Sequence, residues 1–206
     1  EVTASSVVET DKPETPKIKV SWEDLESAAV IDKYDEYLAP THYVPASKRI
    51  ERVGRRIAKY HDPTEAVIEA ARWAQAELQY VPGTTGVHTS GVDALREGRG
   101  VCQDFAHLTL MLLRGMGIPS RYVSGYLHPK RNARMGDTVE GQSHAWIQAW
   151  TGEWWHYDPT NDKEINEQYI SVGVGRDYAD VTPLKGIYSG EGSTDLDVVV
   201  EITRLA

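Results

Sequence analysis

The order of its elements predicts an α+β domain with an antiparallel sheet. Helical periods fill the chain as far as Gly117. Beyond it come short, aromatic, alternating stretches joined by tight turns, the pattern of hairpin-linked strands. With 206 residues, 40% of them apolar, the chain is long enough for one full domain with a real core.

Residues 1–20 are polar, β-branched and broken by prolines, and read as an extended lead-in to a domain over 21–206. Ser21 with Asp24 starts a helix in capping-box fashion, anchored by Trp22 and Leu25, that ends before Ala39-Pro40. Ser47 caps the next helix, which turns Ile50, Val53 and Ile57 to one side. Its other side carries Lys48, Arg49, Arg52, Arg55, Arg56 and Lys59. Such stripes are usually solvated faces, here set against an N-terminal segment with ten acidic and four basic side chains in residues 1–40. Asp62-Pro63-Thr64-Glu65 is a strong helix start, and that helix runs to about Tyr80, burying Val67, Ile68, Ala71, Ala74 and Leu78. Val81-Pro82-Gly83 breaks it. Residues 92–97 make a helical turn ending at Gly98.

The next helix carries Phe105, Leu108, Met111 and Leu112 at helical spacing and stops at Gly117, with Pro119 beyond. Strands follow at 121–127 and 144–150, then at 153–157 after a Thr151-Gly152 turn. A polar loop spans 129–142. Further strands are expected at 169–172 and 197–202.

Chemistry centres on GRGVCQDFAH, which holds Cys102, the only cysteine. A glycine-rich approach drops this thiol onto the first turn of an apolar helix. The unpaired N–H groups and positive dipole end of such a turn favour an anion, and a thiolate is one. The commoner fate of a lone cysteine is a small core hydrophobe. A reactive one needs a base, and the base needs a group to hold its tautomer.

Seven histidines are available. His144 opens an aromatic strand in SHAW, and Asp158 closes its partner in WWHYDPTND. A hairpin at Thr151-Gly152 brings the two to one open end of adjacent strands, within reach of each other. Cys102, His144 and Asp158 thus form a coherent triad. His107 lies roughly 140° round the helix from Cys102 and reads as a packing histidine. His156, two residues before Asp158, reads as a supporting or solvent-facing group. His42, His61, His88 and His128 stand singly, without HxH, HxxxH or HExxH spacing, so no metal and no cofactor is expected. The Cys102 backbone N–H is one candidate oxyanion donor and Gln103 another. Asp104 complements the helix start or shapes the pocket. Tyr126, Ser143 and Trp146 are candidate pocket residues. With Trp150, Trp154 and Trp155, the aromatic ones either line a groove or form strand core.

The net charge of −9 disfavours nucleic acid as a partner. No apolar run approaches the ~20 residues that cross a bilayer, so no membrane partner is expected. One cysteine excludes an internal disulfide framework and fits a reducing, cytoplasmic setting. The chain opens at Glu1, without a methionine, as a processed fragment of a longer protein would.

Together, GRGVCQDFAH, GIPSRYVSGYL, SHAWIQAW and WWHYDPTND resemble the catalytic core of the bacterial transglutaminase-like superfamily. GRDYADVTPLKGIYSG (175–190) resembles its tail segment. The resemblance implies a papain-like α+β fold in which the nucleophile helix packs on an antiparallel sheet. Residue by residue, it implies Cys102 as nucleophile, His144 as base then acid, and Asp158 as orienting carboxylate. It implies acyl transfer through a thioester on a peptide or protein amide, resolved by water or a primary amine. Members include transamidases, peptidases, deamidases and amide-forming enzymes, so a narrower enzyme of small-peptide metabolism and a non-catalytic binding module stand as alternatives. Relatives often carry an upstream β-rich domain, of which residues 1–20 would be the end.

Overall fold

The computed structural model describes residues 3–11, 16–86, 88–130, 132–183 and 199–205. Helices come first. Helix α1 (Trp22–Leu25) has the expected capping box between Ser21 and Asp24. The chain then bends at Glu26-Ser27, so the single expected helix is two, with α2 at Ala28–Leu38. Helix α3 (Lys48–Ala58) buries Ile50, Gly54 and Ile57. A Cβ on Gly54 would stand 2.9 Å from Met116 Cγ, so its bare backbone lets α3 lie close to the next layer. The basic side of α3 is exposed, and Arg49 pairs with Glu77 of the next helix at 3.0 Å.

Helix α4 (Pro63–Glu77) starts on a capping box between Asp62 and Glu65. It ends before Tyr80 because Gln79–Tyr80 leaves the helix to form β1, pairing in parallel with β2 (Arg99–Gly100). Helix α5 (Gly91–Glu97) stops at Gly98, whose φ of +67° suits glycine. Helix α6 (Cys102–Gly115) is the axis of the molecule, with nearly every side chain buried. Buried Arg114 fixes its far end by donating to the carbonyls of Ala39 (2.9 Å) and Ser120 (3.1 Å).

Strands β3 (Ser120–Leu127), β5 (Gln142–Trp150), β6 (Trp154–Asp158), β7 (Lys163–Glu164) and β8 (Tyr169–Gly175) form one antiparallel sheet in the order β7-β6-β5-β3-β8. Within the expected polar loop lies β4 (Thr138–Glu140), which pairs with β9 (Glu201–Thr203) in a separate ribbon. The expected strand at 197–202 is this β9, shifted toward the C-terminus; residues 197 and 198 lie outside the described residues, as do 184–190 of the tail segment.

Alternation gives the sheet two faces. Tyr122, Ala145, Ile147, Ala149, Trp155 and Tyr157 join one core with Phe105, Leu108 and Leu112 of α6. Val123, Trp146, Ile165 and Tyr169 form a second, smaller cluster. The expected α+β fold, a helix bearing the thiol packed on an antiparallel sheet, is the observed one. Among the described residues of 1–20, Thr10 Oγ1 donates to the Glu167 carbonyl (2.8 Å), and Ile18 crowds Gly152 in the β5–β6 turn.

Candidate active site

Cys102 is the first residue of α6, following Val101 in extended conformation. In that first turn its N–H has no intrahelical acceptor, which leaves it to a ligand. The turn is braced from below by Asp104, whose Oδ2 accepts from Val101 N (2.8 Å) and from Thr85 Oγ1 (2.6 Å). Burial pushes the Asp104 carboxyl up, against the pull of those hydrogen bonds. Asp104 is fully buried, so it is an internal brace and not the pocket residue expected. A Cβ on Gly100 would sit 2.6 Å from Asp104, which is why glycine precedes the turn. Gln103 is buried beside it.

Strand β5 brings His144 and β6 brings Asp158. The hairpin pairs Trp150 with Trp154 and Ile147 with Tyr157. One step further in register, Asp158 stands opposite Trp146, so His144 is its diagonal neighbour. Beyond that point β6 has turned away, leaving the first residues of β5 with β3 as sheet partner among the described residues. At this open margin His144 Nε2 lies 2.8 Å from Asp158 Oδ2. The Cys102 thiol is near enough to raise the pKa of this imidazole. With Nε2 held by the carboxylate, Nδ1 is the nitrogen left for the thiol. Burial disfavours charge on this imidazole, but the hydrogen bond to Asp158 and the nearness of Cys102 outweigh it and raise its pKa to about 9.

Asp158 is fully buried and saturated. Its Oδ2 also accepts from Tyr169 OH (2.6 Å) and Asn161 Nδ2 (2.7 Å), and its Oδ1 from Thr160 N (2.9 Å) and Asn161 N (3.2 Å). Burial opposes ionisation, yet His144, Asn161 and Tyr169 hold the carboxyl below its ordinary value. Sequence reasoning missed Asn161 and Tyr169. The Oδ1 bonds are an Asx turn, a signal present in Asp-Pro-Thr-Asn. Tyr169 comes from β8, across the sheet, and no local signal announces it. Tyr80 of β1 is a third omission: half-exposed, its hydroxyl is pushed up by burial and by the nearby Cys102.

Trp146 is fully buried in the second cluster and cannot line a substrate pocket. The alternating aromatic period is, for this residue, sheet core. Tyr126, partly exposed, and Ser143, exposed, face each other across β3 and β5 next to His144. His107 is buried between Tyr43 and Tyr122 and accepts from Tyr178 N (3.3 Å). Among the described residues no three His, Cys, Asp or Glu side chains converge as metal ligands.

The His144–Asp158 pair makes stability depend on pH. A pKa raised in the folded state means that folding tightens the proton, so the contribution is whole below about pH 6.5 and lost as pH rises through about 9. The opposite sign holds for Asp158, whose contribution is lost as pH falls below the ordinary carboxylate range. Urea denaturation is expected to show a fall on the order of 3 kcal/mol between about pH 6 and 10 that His144→Ala lacks. Equal pH dependence in the two proteins would remove the pair from this account.

The profile of the Transglutaminase-like superfamily matches residues 51–159. An uncharacterized protein of Mycobacterium leprae is 70% identical over 205 residues, covering all of this chain and 74% of the relative. An uncharacterized protein of Mycobacterium tuberculosis is 34% identical over 190 residues, covering 87% of this chain and 55% of the relative. Among solved structures, a candidate cysteine protease from Cytophaga hutchinsonii superposes with a TM-score of 0.68 at 26% identity, covering 89% of this chain and 62% of that one. This chain therefore spans just over half to three quarters of these relatives. The matched segment takes in the turn before Cys102, the strand of His144 and Asp158 itself, more than half of the sequence, and the chain belongs to the transglutaminase-like superfamily.

Proposed function

We propose that this protein is a cysteine-dependent acyl-transfer enzyme acting on amide or peptide carbonyls. One observation carries the reading: a buried imidazole hydrogen-bonded at 2.8 Å to a saturated carboxylate and lying close to the thiol at the start of α6. In this reading the imidazole takes the thiol proton and so makes Sγ a nucleophile. In this role Cys102 Sγ attacks the carbonyl carbon, and the carbonyl π electrons move to oxygen. The Cys102 N–H is aimed to receive that oxyanion. Collapse expels the amine, which takes its proton from His144, and leaves a thioester. Water or a primary amine then attacks, His144 accepts its proton, and Sγ leaves. Asp158 holds Nε2–H throughout, so that Nδ1 does the proton transfer. The Cytophaga protein, described as a candidate cysteine protease, supports hydrolysis as one outcome.

Mass spectrometry of glutamine-containing peptides, incubated with and without a primary amine, tests this. Addition of the amine with loss of ammonia means transamidation, chain cleavage means peptidase action, and a gain of about 1 Da means deamidation. Each product should vanish in Cys102→Ala. A peptide panel left unchanged by a protein whose thiol also alkylates like free cysteine would leave the fold as a binding module.

A further inference from the structure

A second histidine lies behind the first. On the face of the sheet that carries His144, the register sets side chains in rows across the strands. Arg121 of β3, Gln148 of β5 and His156 of β6 make one row; Val123, Trp146 and Asp158 the next; Gly125 and His144 the last. His156 is joined to the middle row: Trp146 Nε1–H donates to its Nδ1 at 2.9 Å. Its Nε2 meets the Gln148 amide at 2.6 Å. A neutral imidazole has one acceptor nitrogen, and the indole N–H has taken it. Nε2 therefore carries the proton, and the Gln148 amide, whose nitrogen lies at that position, is assigned turned over so that its otherwise unpartnered carbonyl oxygen accepts.

The indole that His156 holds extends toward the last row. A Cβ on Gly125 would stand 2.6 Å from Trp146 Cη2, so the ring fills the space a side chain would take there. Directly across the ladder is His144, whose ring lies 6.1 Å from that of Trp146, at 27° to it. The same indole meets Tyr169 edge-on at 5.3 Å. It thus packs against both His144 and Tyr169, each of which donates to Asp158 Oδ2.

We propose that His156 is a positioning residue for His144, acting through Trp146. The proposal rests on the reading of Cys102 and His144 as the reactive pair. His156 has to stay neutral for this, since an imidazolium could not accept from the indole. Burial, with the Arg121 charge beside it, pushes its pKa down to about 4. The groups facing it are Arg121 from β3, and Trp146 and Gln148 from β5.

The test is the pH profile of Cys102 alkylation by iodoacetamide, taken with thermal stability. Wild type should react fast well below pH 8. His156→Phe fills the space but strands a buried indole N–H, and should slow alkylation about tenfold at pH 6.5, moving the profile toward that of a free thiol near 8.5. His156→Gln restores both partners, with an oxygen for the indole and an N–H for Gln148, and should stay within about twofold of wild type. Melting temperature alone would not discriminate, because a purely structural histidine also lowers it. A low-pH wild-type profile that His156→Phe leaves in place overturns the proposal, whatever happens to stability. Should His156→Phe not fold, Gln148→Met decides: it frees the outer side of His156 and should move the profile the same way by less, and an unmoved profile overturns the proposal. A wild-type profile that already follows a free thiol overturns the reading of the reactive pair and this proposal with it.

Discussion

Replacing His144 by alanine is expected to slow alkylation of Cys102 about 100-fold at pH 6.5, because a thiol of ordinary pKa near 8.5 is only about 1% ionised there. In the intact protein the imidazole lies close to Cys102 with its pKa raised to about 9, and in the proposed reading it takes the thiol proton. Removing it leaves only the helix start to favour the anion, worth typically 0.3–1 kcal/mol at an exposed site. That is less than the roughly 2.7 kcal/mol that two pH units represent. The imidazole term wins over the dipole term, and the measurement separates them. His144→Ala reacting as fast as wild type at pH 6.5 would assign the thiolate to the helix and leave His144 without its role. Acyl transfer should fall further than alkylation, since the leaving amine also loses its acid.

Asp158→Asn is expected to reduce acyl transfer by roughly 10²–10⁴-fold while preserving the shape of the site. The count of donors explains why. One carboxylate oxygen takes His144, Tyr169 and Asn161, and the other takes two backbone N–H groups. An asparagine has one oxygen and two N–H donors to set against these five. Whichever way it lies, one set of donors meets an NH₂. If the oxygen stays with the Asx turn, His144 faces a donor, its tautomer reverses, and Nδ1 carries the proton when it should be the base. Stranding donors in a buried site also costs about 1–3 kcal/mol, visible as a lower urea midpoint. The two readouts are independent. A variant that loses stability but keeps wild-type kcat/KM would make Asp158 a structural knot, not an orienting carboxylate. Tyr169→Phe withdraws one donor of the five and leaves the tautomer alone, so its effect should be much the smaller.

Much of this site follows from chain-local rules. The turn from Gly98 to Cys102, the cap at Asp62-Pro63-Thr64-Glu65 and the hairpin at Thr151-Gly152 are each written within a few residues, where sterics and hydrogen bonding act without help from the rest of the fold. The hairpin then fixes the separation of His144 and Asp158, because register is set by the turn. Other readings went differently, three of them near the site. Asp104 and Trp146 had the composition of pocket residues, but α6 and the sheet close over them. The helix expected to reach Tyr80 ends earlier, because β2 arrives twenty residues later to pair with Gln79.

Other partners were beyond the reach of spacing. Tyr169 comes to Asp158 from a strand on the far side of β3. Thr85 braces Asp104 from a separate loop. Such contacts depend on which faces pack together, and a period of two or of 3.6 does not encode that. The sequence by itself indicated helices before strands, the capping boxes at Ser21 and Asp62, the turn at Thr151-Gly152 and the three residues gathered at the open end. Tertiary structure alone decided which side chains support them and which are sealed from substrate, because burial is a property of packed layers and not of any one segment.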